Sequence, residues 1–355
     1  MSEPVAIVAL GASTPVGRCA ASSAAAVRAG ISVFQAHPAM IDTAGEPMTV
    51  ACADWIDLQQ PFEQRLQALL LPAVAEVLEA VAMPMQRRLP IELARCALAL
   101  AMPAARPGLE AGLAQRLLES ICGHCEDTFQ AAACFEAGHA AGLLGLRAAA
   151  SKLARGELDA CVLAGVDSYL HPLTLEWLES CDQLHGAGVQ NNAWGFVPGE
   201  AAGALLLTGW HKAQALGLPI LAVVLGTGQA VEANRIKTRT VCIGQGLTQA
   251  VQDTLAALPA GGRVSDIYCD MNGEPYRADE YGFTCTRSAQ CFVSASDFVA
   301  PADCWGDVGA AGGVLHAVLA TVAGRKGYAK GPLSLLWASS EGGERAAALV
   351  ATEEG

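Results

Sequence analysis

The chain has 355 residues, 52% of them hydrophobic and 16% charged, and its 35 acidic side chains outnumber 22 Lys and Arg to leave a formal charge of −13. That length and apolar fraction call for a large buried core, as one big α/β body or two packed halves, and argue against a disordered or fibrous chain. The acidic balance argues against a nucleic-acid binder, whose phosphate contacts need clustered Lys and Arg.

Val5 to Leu10 is a short, wholly apolar run and is expected as a first strand. The start Met1-Ser2-Glu3-Pro4 carries no basic stretch, so this run is not read as a signal peptide. A fully apolar strand suggests a sheet covered on both faces. The turn Gly11 to Gly17 lacks both GxGxxG spacing and a Walker lysine and is read as structural, leading into a helix to about Ala29. Leu66, Leu69, Leu70, Val74, Val77, Leu78 and Val81 recur at helical spacing and predict a helix over about 62–83. A strand is expected over Ala94 to Met102, and a helix from after Pro107 to near Glu119. Cys122 and Cys125 form the one pair at CxxC spacing; with no second pair to complete a metal set, they are read as incidental thiols.

A strand over Gln130 to Ala133, a helix over Ala140 to Ala154 and a strand over Asp159 to Val166 follow, and then a loop from Trp194 feeding a strand to Leu207. The second half repeats the alternation. Strands at Leu221 to Gly226 and Arg263 to Cys269 flank a helix at Gly244 to Leu258, and a polar loop follows Cys269. A helix over Ala310 to Ala323 and strands at Leu333 to Trp337 and Ala346 to Ala351 close the chain. This alternation predicts layered α/β architecture in two similar halves, 1–215 and 216–355, with no low-complexity linker between them. No stretch reaches the ~18 apolar residues of a membrane span. Thirteen scattered cysteines fit a reduced, cytoplasmic protein with free thiols.

Four segments stand out in order. They are Ile7 to Gly17; Gly138-His139-Ala140-Ala141-Gly142 with Arg155-Gly156-Glu157-Leu158-Asp159 and Val162-Leu163-Ala164-Gly165 at fixed distances; Gly195 to Ala204; and Gly306 to Gly312. Together they resemble the β-ketoacyl-acyl-carrier-protein synthases, which have the thiolase fold. The resemblance implies an αβαβα body of two βαβ halves. It also implies a condensing site made of one cysteine and two histidines. Position by position, the cysteine falls on His139, and the first histidine on Asn272 in Asp270-Met271-Asn272-Gly273-Glu274. The second falls on or next to Asp307, and the phenylalanine that gates the acyl pocket falls on Glu341, followed by Gly342 and Gly343.

Condensation needs a thiolate at a helix N-terminus to carry the acyl group, and imidazoles to assist decarboxylation. Histidine gives a readily hydrolysed acyl-imidazole, Asn272 does not shuttle a proton, and Asp307 puts negative charge where an oxyanion develops. A Cys134–His139 dyad and a Glu136–His139 pair are the nearby alternatives. His37, His124, His171, His185, His211 and His316 share no spacing and are read as surface or core residues.

The resemblance therefore implies a ketosynthase-like pseudoenzyme acting as a binding, chaperone or adaptor partner. Two precedents apply: the chain-length-factor subunit of aromatic polyketide systems, and accessory proteins of type VI secretion effectors. The alternative is an acyltransferase or malonyl decarboxylase with altered residues. No cofactor or metal and no nucleic-acid or membrane partner is expected. A homodimer, or a heterodimer with a ketosynthase homologue, is expected through the strand near Phe129 to Phe135. Glu274, Asp307 and Glu341 are expected as an acidic rim that favours a basic partner.

Overall fold

Among the described residues, nine strands join into one mixed sheet whose order, outward from its centre, is the same in both halves of the chain. The computed structural model describes residues 3–82, 89–90, 93–125, 128–236, 238 and 240–352. Met1 and Ser2 of the start, and residue 83 at the end of the expected second helix, lie outside them. The strands are β1 (Val5–Ser13), β2 (Gln35–Ile41), β3 (Pro47–Val50), β4 (Cys96–Met102), β5 (Ala131–Glu136), β6 (Ala160–Ser168), β7 (Glu200–Gly209), β8 (Ala222–Val231), β9 (Asp266–Cys269), β10 (Leu333–Ser339) and β11 (Glu344–Ala351). The helices are α1 (Ala20–Arg28), α2 (Phe62–Val81), α3 (Leu113–His124), α4 (Ala141–Ala154), α5 (Pro172–Ser180), α6 (Trp210–Ala215), α7 (Gln245–Leu255), α8 (Pro275–Ser288), α9 (Ala302–Trp305) and α10 (Gly312–Arg325).

The sheet runs β5-β4-β6-β7-β1-β8-β11-β10-β9, and β2 pairs with β3 in a separate hairpin. From the β1/β8 seam outward, each half places its first strand, its last, the one before that, and then its second. Where β5 extends the first half, the second half has only the segment 292–299. It touches the β9 region through bridges Val264–Phe292 and Tyr268–Val299.

Period-two alternation sorts the side chains into layers. In β4, Ala97 and Ala99 face one core cluster while Leu98 and Leu100 face another; in β6, Cys161 and Leu163 oppose Val162 and Ala164. The inner cluster joins both halves of the sheet to α4 and α10. The outer faces are covered by α2 and α3 on one half and by α7 and α8 on the other. The result is an αβαβα body, as expected from the sequence.

The central helices cross almost backbone to backbone. A Cβ on Gly142 would lie 2.9 Å from the Val314 nitrogen, and one on Gly313 would lie 3.1 Å from the Leu143 nitrogen. This crossing brings the turns that begin α4 and α10 side by side, and the candidate site lies between them.

Three segments depart from the sequence expectation. The helix after Pro107 starts only at Leu113, because Gly108 and Gly112 are left-handed (φ +92° and +78°) and hold the chain in a turn. The β2–β3 hairpin contains Pro38 and shows no alternation, so periodicity misses it. The expected polar loop after Cys269 is largely helix α8, which buries Arg277, Glu280, Tyr281, Thr284 and Ser288. Its buried stripe has helical spacing but is largely polar, so it gives no hydrophobic signal.

Gly142→Val should force the central helices apart and cost about 1–3 kcal/mol, the usual range for overpacking a tight core. A lowered urea midpoint with an unchanged slope is the expected reading; an unchanged midpoint would show that the crossing is not tight.

Candidate functional site

His139 sits in the single 3₁₀ turn Gly138–Ala140 between β5 and α4, which Gly138 opens with a left-handed φ of +65°. The turn is pinned to the other half of the chain: Ala140 N–H donates to Ser340 Oγ (2.9 Å), and Ser340 Oγ donates to the Ala137 carbonyl (2.5 Å). Asp307 comes from the matching turn before α10. Its backbone exchanges hydrogen bonds with the Gly195-to-Ala204 segment: Asp307 N–H to the Val197 carbonyl and Gly199 N–H to the Asp307 carbonyl, both 2.8 Å. A Cβ on Gly199 would sit 2.2 Å from the Trp305 carbonyl oxygen, so glycine permits this approach. Glu200, next in the same segment, anchors the loop through a fully buried pair with Arg65 (2.5 Å).

The two turns place an imidazole against a carboxylate. His139 Nε2–H donates to Asp307, with both oxygens at 2.9 Å, and the residues are only 5% and 4% exposed. Asp307 also accepts from Asn272 Nδ2 at 2.6 Å and from Gly309 N–H at 2.8 Å. Burial disfavours the imidazolium and Arg277 repels it. The Asp307 carboxylate outweighs both, so the His139 pKa stands above its usual 6.5. Burial opposes the Asp307 carboxylate too, but His139 and Arg277 hold its pKa well below the usual 3.8. Both directions favour the charged forms of the two groups.

A second tier surrounds it. Arg277, in the first turn of α8, donates to Asp270 Oδ2 (2.5 Å), the Ser339 carbonyl (2.9 Å) and Glu274 Oε2 (3.3 Å), with Nη2 3.2 Å from His139 Nε2. Asn272 Nδ2 also reaches Glu274 Oε2 at 3.0 Å. Gln183 Nε2 donates to Glu274 Oε1 and to Glu341. Two cations and three carboxylates, none more than 8% exposed, thus pair around the turn and leave it with one net negative charge. The void lined by His139, Asp270, Asn272 and Asp307, with Cys269, Trp305 and His316, is about 20 Å³. That is room for one water and not for an acyl chain.

The structure brings His139, Asn272 and Asp307 into one hydrogen-bonded set. It also corrects several expectations. Glu274 and Asp307 do not form an exposed rim; they are buried and paired, because lone charges at that depth would be too costly. Glu341 is half-buried at the β10–β11 turn rather than freely solvated, while Gly342 and Gly343 make the turn itself, Gly343 with φ +112°. Cys134 packs on the outer face of the sheet with α2 and α3 while its neighbour Phe135 faces inward, so strand alternation rules out the Cys134–His139 dyad. Burial pushes the Cys134 thiol up to about 11. Glu136 is exposed on β5, and His139 takes Asp307 as its carboxylate instead.

Sequence reading missed Arg277 and Gln183, and placed His316 among the uninformative histidines. His316 is buried in the wall of the void, and burial lowers its pKa to about 4. Among the described residues, Glu232, Cys242 and Glu280 bring ligand-type atoms within 4.8 Å of one another. Their carboxylates already have work: Glu232 accepts from the Asn234 and Gly246 amides, and Glu280 pairs with Arg345.

Residues 125–213, from the end of α3 through α6, match the family model "Beta-ketoacyl synthase, N-terminal domain". No curated protein matches the sequence. The fold is that of solved ketosynthase structures. The ishigamide ketosynthase/chain length factor is similar with TM-score 0.78 at 17% identity, over 99% of this chain and 100% of that one. The AntDE:AntF structure, a type II PKS acyl-carrier protein in complex with its ketosynthase bound to the hexaketide, gives 0.77 at 15% identity, over 99% and 100%. The ketosynthase from module 6 of the bacillaene synthase of Bacillus subtilis 168 gives 0.76 at 15%, over 99% and 72%. No helix among the described residues is long and apolar enough to cross a membrane.

The ion pair gives stability a definite pH dependence. The raised His139 pKa contributes stability that is full below about 6.5 and is lost as pH rises through the higher folded value. The depressed Asp307 pKa contributes stability that is full above about 3.8 and is lost as pH falls. The stability lost in Asp307→Asn, read from urea unfolding, should therefore be greatest between about pH 4 and 6.5 and shrink on either side. A loss independent of pH would mean that the pair is not ionic.

Proposed function

We propose that the protein is a ketosynthase-like pseudoenzyme that serves as a subunit or adaptor for a protein partner and does not condense acyl groups. The observation that carries this reading is His139, buried with its Nε2 against the Asp307 carboxylate beside a void of about 20 Å³. A cationic imidazole has no free lone pair to attack a thioester, and the enclosure has no room for the product of an attack. The carboxylate beside it opposes an oxyanion. The same features disfavour an acyltransferase or decarboxylase using His139, since each needs a neutral ring. Among partner roles, a chain-length-factor-like subunit has the support of a whole-chain likeness to a ketosynthase/chain length factor structure. An effector-associated chaperone or adaptor would use the same inert centre with a different partner.

Incubation with acyl- and malonyl-carrier protein, followed by intact mass and carbon dioxide release, tests the reading. The unmodified protein should show neither adduct nor product. His139→Cys should acylate slowly, because Asp307 would lie beside the new thiol and raise its pKa. His139→Cys with Asp307→Asn should take up acyl groups faster. Neither variant should form a carbon–carbon bond, since losing one stabilising donor typically costs about a hundredfold or more. A β-ketoacyl product from the unmodified protein would show the reading to be wrong.

Strand β5 is the second basis for a partner. Among the described residues it pairs only with β4, at the edge of the sheet, and it exposes Ala131, Ala132 and Ala133. An edge that is uncharged from Ala131 to Phe135 invites pairing with a second chain. Light scattering at micromolar concentration should show a dimer, and Ala132→Lys should convert it to monomer. A stable monomer of the unmodified protein would remove the homodimer and leave the ketosynthase heterodimer, read by co-expression.

A further inference from the structure

Above the buried pair lies a cavity of about 210 Å³ lined by Phe34, His185, Asn272, Asp303 and Asp307, among others. It shares Asn272, Ala302 and Asp307 with the void below, so it is the vestibule of the His139 site. Its charged lining is two aspartates, with no Lys or Arg. Asp307 has its neutralising partners beneath the floor. Asp303 is exposed at the mouth and has none: no hydrogen bond or ion pair reaches its carboxylate among the described residues. The opening is flanked by apolar surface, with Phe34 41% exposed and Trp194, between the lining residues Ala193 and Gly195, 69% exposed.

From this geometry we infer that the vestibule receives a lysine or arginine side chain projected by a protein partner, with Asp303 as its counter-ion. The inference deepens the partner reading above and rests on it. Three features select this occupant. The cavity is smaller than the ~300–1,000 Å³ of most small-molecule sites and suits one long side chain. Its unpaired charge is negative, and a carboxylate at the mouth of a cavity is complemented by a cation that brings its own hydrogen-bond donors. The exposed Phe34 and Trp194 would stay wet around a free small amine, whereas a polypeptide carrying the cation covers them. The pantetheine part of an acyl-carrier arm, which is uncharged, would leave Asp303 uncompensated.

The probes are the tripeptide amides Phe-Arg-Phe and Phe-Gln-Phe, and pantetheine, titrated into the whole protein by calorimetry at low salt. The arginine peptide should bind roughly tenfold tighter than the glutamine peptide, as expected for a charged hydrogen bond in a partly shielded site. In Asp303→Asn that preference should fall to about onefold. Phe34→Ala should weaken both peptides and keep the preference. Equal binding of the two peptides, an Asp303→Asn variant that retains the preference, or absence of binding by the arginine peptide would each overturn the inference. Tighter binding of pantetheine would overturn it in favour of a carrier arm. Formation of a β-ketoacyl product would sink the pseudoenzyme reading on a separate measurement, so the two failures are distinguishable.

Discussion

A buried imidazolium is tolerable only beside a carboxylate, and here the carboxylate comes from 168 residues further along the chain. The arrangement around the turn follows from that demand. Asp307 must arrive at a fixed depth, so its backbone is held on both sides by the Val197–Gly199 segment. Its remaining lone pairs are met by Asn272 and by Gly309 N–H. Arg277 balances Asp270 and Glu274 nearby. Removing any one of these would leave a charge stranded in low dielectric, so the cluster is sound as a whole or not at all.

Such a cluster suits a rigid centre. An active nucleophile needs an unsatisfied electron pair and space in front of it, whereas here the donors and acceptors of His139 Nε2, Asp307 and Asn272 are directed at one another. The half-buried Glu341, held by Gln183, extends the same network to the β10–β11 turn. What lies open is further out, in the acidic vestibule and along the edge of β5.

The doubled architecture explains why the site lies where it does. Each half turns from its sheet into a central helix through one 3₁₀ turn opened by a left-handed glycine, Gly138 in one and Gly309 in the other. The near contact of Gly142 with Gly313 sets those turns side by side. A site made from both is the consequence of two similar layers packed about one pair of helices.

The amino-acid order alone determined the strands and helices whose cores are apolar. Val5 to Leu10 and the strands around Val162 and Leu335 are readable as continuous apolar runs, and the stripe from Leu66 to Val81 because its burial repeats at period 3.6. It also determined the turn that holds His139, through its spacing from Gly138, Gly142 and Gly165. The sequence could not reveal α8, because the buried stripe of that helix is largely Arg, Glu and Thr, residues whose burial depends on partners distant in the chain. For the same reason Glu274 and Asp307 read as a solvated acidic rim, and His316 as a bystander. Charge is visible in sequence, but its compensation is not. Whether a carboxylate faces water or an imidazolium is decided only when the two halves close, because the pairing energy exists only across that contact.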